Sequence, residues 1–161
     1  MKKMAVAFSG PSNTGKTTLI VKVAKYFLDK GLKVVVLKHD PADKAKFDVE
    51  GKDSYKFSEI GADVVVSSPT RTTYFNKQNK SIDEIIAMLG DFDLLIVEGL
   101  KTLPLPRMSL FRGKIDDSYL KYSKAIATDG LECSVDIPNY DINDVEGICN
   151  WVIKNAKNIK G

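Results

Sequence analysis

Arginine is scarce in this chain, which carries 21 lysines but only three arginines, Arg71, Arg107 and Arg112. Arginine is the usual bidentate clamp on a phosphoryl group in transit, because its planar guanidinium matches the phosphate oxygens. No arginine-rich segment is present, so the sequence disfavours a kinase that closes an arginine-bearing lid over its substrate. The net charge of +3 is likewise too small to indicate a nucleic-acid partner.

Cysteine and histidine are rare, and long apolar runs are missing. Cys133 and Cys149 form no CxxC motif and His39 is the single histidine, so we expect no metal site built from these residues. Two free thiols are typical of the reducing cytoplasm. No apolar run approaches the roughly 20 residues that cross a bilayer, so we expect no membrane association. The short apolar run at residues 4–8 leads into a glycine loop, which indicates a core strand rather than a signal peptide.

The rest of the pattern is that of an alternating α/β protein. Apolar runs predict strands at 4–8, 33–37, 63–66, 71–75, 92–97, 108–111 and 125–127. Helical spacing predicts helices at 17–28, 54–60 and 81–89, and a last one from about 143. The apolar faces of the first and last helices should include Leu28 and Ile153, and Ser81 with Glu84 has capping-box spacing. Such alternation favours a mostly parallel sheet flanked by helices, with some antiparallel edge strands.

Residues 10–17, GPSNTGKT, match the phosphate-binding loop G-x-x-x-x-G-K-[ST] at every fixed position, between an apolar strand and an amphipathic helix. The glycines let the backbone wrap a phosphate, and the helix directs its positive end to the same anion. Lys16 should reach the β- and γ-phosphates and the Thr17 hydroxyl should bind Mg²⁺. This predicts a P-loop NTPase-like fold. The expected phosphate-binding residues are Gly10, Ser12, Asn13, Thr14, Gly15, Lys16, Thr17 and Thr18.

Acidic residues could complete this site. Glu98 ends the apolar segment DLLIVE, where it could hold Mg²⁺, orient a water molecule or do both. Asp48 follows the KVVVL strand in a polar loop on the ligand side of a parallel sheet, and it could bind Mg²⁺ through a water. Lys52 and Asp53, beside it, could contact a substrate or begin the next helix. The predicted catalytic residues are Lys16, Glu98 and Asp48, and the predicted metal-binding residues are Thr17, Glu98 and Asp48.

Further segments point to a family. The chain contains, in this order, GPSNTGKTTL, VLKHD, DVEGKDSYKFSEIGA, DLLIVEGLK, MSLFRG and DINDVEGI. Together they resemble the MobB family, the molybdopterin-guanine dinucleotide biosynthesis adapter proteins. The resemblance implies one GTP-binding domain over 1–161, slow Mg²⁺-dependent GTP hydrolysis, a homodimer and a cytoplasmic location. It also implies a MobA-type nucleotidyltransferase partner, which attaches GMP to molybdopterin.

The resemblance also places Lys52 and Asp53 in a switch-like loop that contacts the nucleotide, and Lys101 in a second phosphate-side motif. Molybdopterin itself could bind through Lys52 and Arg112. Relatives often carry more histidines after the Lys-His pair, whereas Asp40 and Pro41 stand there in this chain. His39 is therefore alone, and the residues do not decide between a functional and a structural role for it.

The base preference is open at the level of residues, because no N-K-x-D motif is present. Asp129 could accept hydrogen bonds from the guanine ring N–H and amino group, or it could be a turn residue before Gly130. A small-molecule kinase built on the same P-loop is the alternative reading, and a nucleotide-binding module without turnover is the third.

Overall fold

The computed structural model describes residues 1–159, along which strands and helices alternate. In chain order the elements are β1 (Met4–Ser9), α1 (Lys16–Leu28), β2 (Val34–Lys38), α2 (Asp53–Glu59), β3 (Val64–Ser67), β4 (Thr72–Phe75), α3 (Ile82–Met88), β5 (Leu94–Glu98), β6 (Arg107–Phe111), α4 (Asp117–Leu120), β7 (Ala125–Thr128), β8 (Asn139–Asp141), α5 (Val145–Asn155) and β9 (Lys157–Asn158). Along residues 1–159, no helix is long and apolar enough to cross a membrane.

The chain divides into two compact units. The first contains residues 1–39 and the chain from residue 89 onward, and the second contains residues 40–88. The expectation of one functional domain over 1–161 stays a prediction, and the two units are described one at a time.

The first unit is built on a parallel sheet with the strand order β2-β5-β1-β6-β7-β8. The short β9 pairs antiparallel with the start of β1. Every residue of β5 is buried, and so is every residue of β1 after Met4, which explains why both strands read as continuous apolar runs. The prediction of a mostly parallel sheet with helices is confirmed. Because these six strands are parallel, their carboxyl ends lie at one edge of the sheet.

The first and last helices share one apolar cluster. The buried faces of α1 and α5 pack together with side chains of β1, β5, β6 and β7. Two details of the predicted faces were wrong: Leu28 is 54% exposed at the end of α1, and Ile153 is 47% exposed. Trp151 is buried in place of Ile153, at 4% exposure. At 100° per residue, position 151 lies within 60° of Ile148, whereas position 153 points 140° away from it.

The second unit contains α2, the antiparallel pair β3-β4 and α3. A carboxylate orders the end of the hairpin, since Asp63 accepts hydrogen bonds from the Lys77 amide at 2.8 Å and from the Asn76 side chain at 2.7 Å. The capping box before α3 is confirmed. Ser81 Oγ accepts a hydrogen bond from the Glu84 amide at 3.3 Å, and the Glu84 carboxylate accepts one from the Ser81 amide at 2.8 Å.

Candidate phosphate-binding site

The loop between β1 and α1 has a backbone that requires glycine at both ends. Gly10 has φ +134°, and a Cβ there would lie 2.3 Å from the carbonyl oxygen of Leu110 on the neighbouring strand. Gly15 has φ +93° and is the residue from which α1 starts. Between them, Thr14 is buried and its hydroxyl donates to the Pro11 carbonyl at 3.0 Å. The sequence motif therefore forms a tight loop that ends at a helix amino terminus.

The amino terminus of α1 is open to an anion. No side chain caps it, and its first turn contains no acidic residue. The first N–H groups of a helix have no partner within the helix, and the helix dipole makes this end positive. Lys16, Thr17 and Thr18 form this first turn, and both threonines are exposed. Backbone N–H groups without a partner in the helix therefore lie where a P-loop holds phosphate, with two exposed threonine side chains beside them.

Lys16 rests on the loop itself. Its ammonium donates to the Pro11 carbonyl at 2.5 Å. Burial lowers the pKa of Lys16, and the nearby charge of Glu98 opposes that shift. The positive charge of Lys38 adds to the lowering.

Glu98 ends β5 beside β1 and is 9% exposed. Its Oε1 lies 3.0 Å from Nζ of Lys38, which occupies the paired position on β2. The chain then turns at Gly99, whose φ is +90° and whose amide donates to the Phe8 carbonyl at 2.9 Å. A carboxylate and the Thr17 hydroxyl are hard oxygen donors of the kind Mg²⁺ uses beside substrate phosphates, so these two residues fit the ion. Within residues 1–159, no cluster of three or more His, Cys, Asp or Glu forms an all-protein metal cage.

A buried arginine fixes the segment after Glu98. Arg107, on β6, is fully buried, and its terminal nitrogens donate to the carbonyls of Gly99 at 2.8 Å, Leu100 at 2.7 Å and Leu103 at 3.2 Å. Desolvation by burial lowers the pKa of Arg107. Leu100 has the unusual φ of +48°, which this network holds in place. Sequence reasoning found neither this contact nor the Lys38–Glu98 pair, because both depend on which strands become neighbours.

Two predicted ligand residues lie farther along the first unit. Lys101 is exposed, and its ammonium lies 4.9 Å from the centre of the Tyr119 ring. Asp129 follows β7 and accepts a long hydrogen bond of 3.4 Å from the Gly113 amide. Asp129 is thus at the carboxyl edge of the sheet, next to the segment that follows β6.

The remaining predicted residues belong to the second unit. Oδ1 of Asp48 accepts from the Ser54 hydroxyl at 2.8 Å and from the Val49 amide at 3.0 Å, while its Oδ2 is buried without a hydrogen-bond partner. Lys52 is at the N-cap position of α2 and makes no side-chain cap. Asp53 opens α2 and lies 3.6 Å from Lys56. Lys16, Thr17 and Glu98 belong to the first unit. That Asp48, Lys52 and Asp53 act at the same site as these three residues stays a prediction.

Comparisons with known proteins converge on one family. A family model described as "Molybdopterin guanine dinucleotide synthesis protein B" (MobB) matches residues 5–129. The molybdopterin-guanine dinucleotide biosynthesis adapter protein of Escherichia coli (strain K12) is 31% identical over 161 aligned residues, covering 92% of this chain and 91% of that protein. The adapter protein of Haemophilus influenzae is 28% identical, covering 91% and 86%. The crystal structure of Bacillus subtilis MobB matches with a TM-score of 0.79 at 21% identity, over 97% and 99% of the two chains, which supports the fold.

Proposed function

Since this chain belongs to the MobB family of molybdopterin guanine dinucleotide synthesis proteins, we propose that it is a GTP-binding adapter in the biosynthesis of that dinucleotide. It assists a MobA-type nucleotidyltransferase as that partner attaches GMP to molybdopterin. The observation that carries the proposal is the loop from Gly10 to Gly15, which ends at the uncapped and cation-flanked start of α1. An adapter that senses nucleotide needs such a site but needs little turnover.

In this proposal the residues of the site divide their roles by chemistry. The amides of the first turn and Lys16 bind the β- and γ-phosphates. The Thr17 hydroxyl and the Glu98 carboxylate hold Mg²⁺, which neutralises phosphate charge when it is bound. Asp129 reads the guanine edge through its carboxylate. Asp48 is proposed to bind Mg²⁺ through a water, and Lys52, Asp53 and Lys101 to contact the nucleotide, as the family resemblance implies.

Hydrolysis is expected to be slow. Rapid P-loop GTPases place a water-orienting side chain and an arginine against the transferring phosphate. Arg107 cannot take the second role, because its terminal nitrogens are already bound to three carbonyl groups. A kinase would need the same charge stabilisation, so the scarcity of arginine supports the adapter over that alternative.

The adapter is proposed to be a cytoplasmic homodimer. Both cysteines are free thiols, which suits a reducing compartment. In the second unit, Val65, Val66 and Tyr74 of the β3-β4 pair are exposed, and a two-stranded sheet leaves strand edges available for pairing. Light scattering at micromolar concentration tests the dimer, and a monomer there would remove that part of the proposal.

Equilibrium binding of GTP and of ATP, each with Mg²⁺, tests the core of the proposal. We expect GTP to bind more tightly and Lys16→Ala to abolish binding, because the variant loses the ammonium at the phosphates. Preference for ATP, with phosphate transferred to an acceptor rather than to water, would support the kinase instead. Pull-down of the MobA-type partner with and without GTP tests the adapter role, and an interaction that ignores nucleotide would contradict it.

A further inference from the structure

Arg112 contacts the phosphate-binding loop from the end of the neighbouring strand. It is the first residue after β6, and β6 pairs in parallel with the end of β1. Its Nε donates to the Thr14 carbonyl at 3.1 Å. One terminal nitrogen lies 3.6 Å from the point where a Cβ would stand on Gly15. The guanidinium therefore lies in van der Waals range of Gly15, beside the start of α1.

The terminal nitrogens of Arg112 are open for a ligand. Among residues 1–159, Nε makes the single hydrogen bond of this side chain, and no carboxylate lies within 4.0 Å of the guanidinium. Arginine carries five N–H donors in a rigid fork, so four are left. The hydrogen bond from Nε orients the guanidinium plane against the loop. An ordinary solvated arginine has no such bond. The terminal nitrogens of Arg107, by contrast, already donate hydrogen bonds to backbone carbonyls.

The strand order gives the direction in which a nucleotide would lie. On one side of β1 are β5 and β2, which end in Glu98 and Lys38. On the other side are β6 and β7, which lead to Arg112 and Asp129. The amide of Gly113, next to Arg112, donates a hydrogen bond to the Asp129 carboxylate. If the terminal phosphates occupy the Glu98 side, the α-phosphate lies on the side of β6.

We propose that Arg112 binds the α-phosphate of the nucleotide through its terminal guanidinium nitrogens while Nε holds the Thr14 carbonyl. The inference rests on the proposed nucleotide-binding function and adds a specific contact to it. An arginine at the α-phosphate strengthens the binding of nucleoside di- and triphosphates alike. It gives no special stabilisation to transfer of the γ-phosphate, so it fits an adapter that retains its nucleotide.

The test compares Arg112→Gln, Arg112→Lys and the control Arg71→Gln, which removes the same charge from an exposed position in the second unit. Affinities for GTP, GDP and inorganic pyrophosphate are measured by calorimetry with Mg²⁺. We expect Arg112→Gln to weaken GTP and GDP by a similar factor, about 10- to 100-fold, because hydrogen bonds between charged groups are lost. Pyrophosphate, which lacks the α-position, should bind nearly as before. Arg112→Lys should recover part of the loss, and Arg71→Gln should bind like the unaltered chain.

Three results would overturn this assignment. Weakening of GTP alone would place Arg112 at the γ-phosphate. Equal weakening of pyrophosphate, with a lower melting temperature of the nucleotide-free protein, would mean that Arg112 only supports the loop. Unchanged GTP and GDP affinities would mean that it contacts neither. These failures differ from failure of the proposed function, in which the unaltered chain itself shows no binding that depends on Lys16.

Discussion

Replacing Arg107 with glutamine should destabilise the first unit more than any other single arginine substitution. Arg107 is fully buried, and it satisfies the carbonyls of Gly99, Leu100 and Leu103. Glutamine is shorter and brings a single amide group, so at least one carbonyl loses its donor. The perturbation therefore acts on the turn that follows the candidate metal-binding residue.

The magnitude follows from the contacts. A hydrogen bond that involves a charged group contributes about 1.5–3 kcal/mol, and three are present here. The guanidinium also bears a desolvation penalty, visible in the lowered pKa of Arg107, which offsets part of that gain. We expect a loss of about 3 kcal/mol in the free energy of unfolding, out of a typical total of about 5–15 kcal/mol. In a domain of this size that corresponds to about 6–12 °C in melting temperature.

Urea unfolding followed by the fluorescence of Trp151 measures this loss, because this sole tryptophan is buried in the main apolar cluster. The midpoint should fall while the slope is unchanged, as expected for a change in stability alone. Arg71→Gln is the control and should stay within about 0.5 kcal/mol of the unaltered chain. A loss below about 1 kcal/mol for Arg107→Gln would show that the three carbonyl contacts do not stabilise the fold, and the reasoning would fail.

Further predictions concern the loop, the acidic strand end and the hairpin. Gly10→Ala should lower the melting temperature and abolish GTP binding, since its Cβ would meet the Leu110 carbonyl at 2.3 Å; calorimetry and thermal unfolding check both. Lys38→Met should lower the Mg²⁺ concentration at which GTP binding is half-maximal, because Glu98 loses the ammonium 3.0 Å away. Asp63 should stabilise its hairpin at neutral pH and lose that effect in acid, and unfolding at several pH values measures this.

The sign of the last effect follows from the folded-state pKa. The pKa of Asp63 is lowered, chiefly by the hydrogen bond from the Lys77 amide, below its ordinary value of 3.8. Its stabilising effect is therefore complete above that value and is lost as the pH falls through the lower folded-state pKa. Asp63→Asn should remove this part of the pH dependence, and an unchanged acid limb would contradict it.

For the Gly10→Ala prediction, Gly31→Ala is the matched control, because Gly31 also has positive φ but has no atom within 4 Å of an added Cβ.

Most of the fold was predictable because its strands and helices carry their own periodicity. The bounds of α1, β2, β3, β4 and β5 fall within two residues of the predicted ones. The elements that the sequence did not predict are short: α4 has four residues, β8 three and β9 two. The β8 sequence is NYD and the β9 sequence is KN, so neither presents an apolar pattern. These strands are defined by the neighbours they pair with, and local sequence does not contain that information.

The candidate site divides in the same way. The loop from Gly10 to Lys16 is a local motif whose geometry follows from glycine at fixed spacing. The pairing of Lys38 with Glu98 joins residues 60 positions apart, and Arg112 meets Thr14 across 98 positions. Both contacts arise from the strand order, in which β5 and β6 flank β1 although neither is the next strand after β1 in the chain. The sequence shows these residues, but it does not predict that they are neighbours in space.

The scarcity of arginine acquires a different meaning once the three residues are placed. Arg71 is exposed in the second unit, Arg107 is committed to backbone carbonyls, and Arg112 alone presents open donors beside the phosphate loop. The first unit thus offers one free arginine on the β6 side of β1 and, on the other side, Lys38 paired with Glu98. This distribution favours anchoring a nucleotide over neutralising a transferring γ-phosphate. An adapter that retains its nucleotide needs such an anchor and little turnover, so this distribution of arginines agrees with the function proposed above.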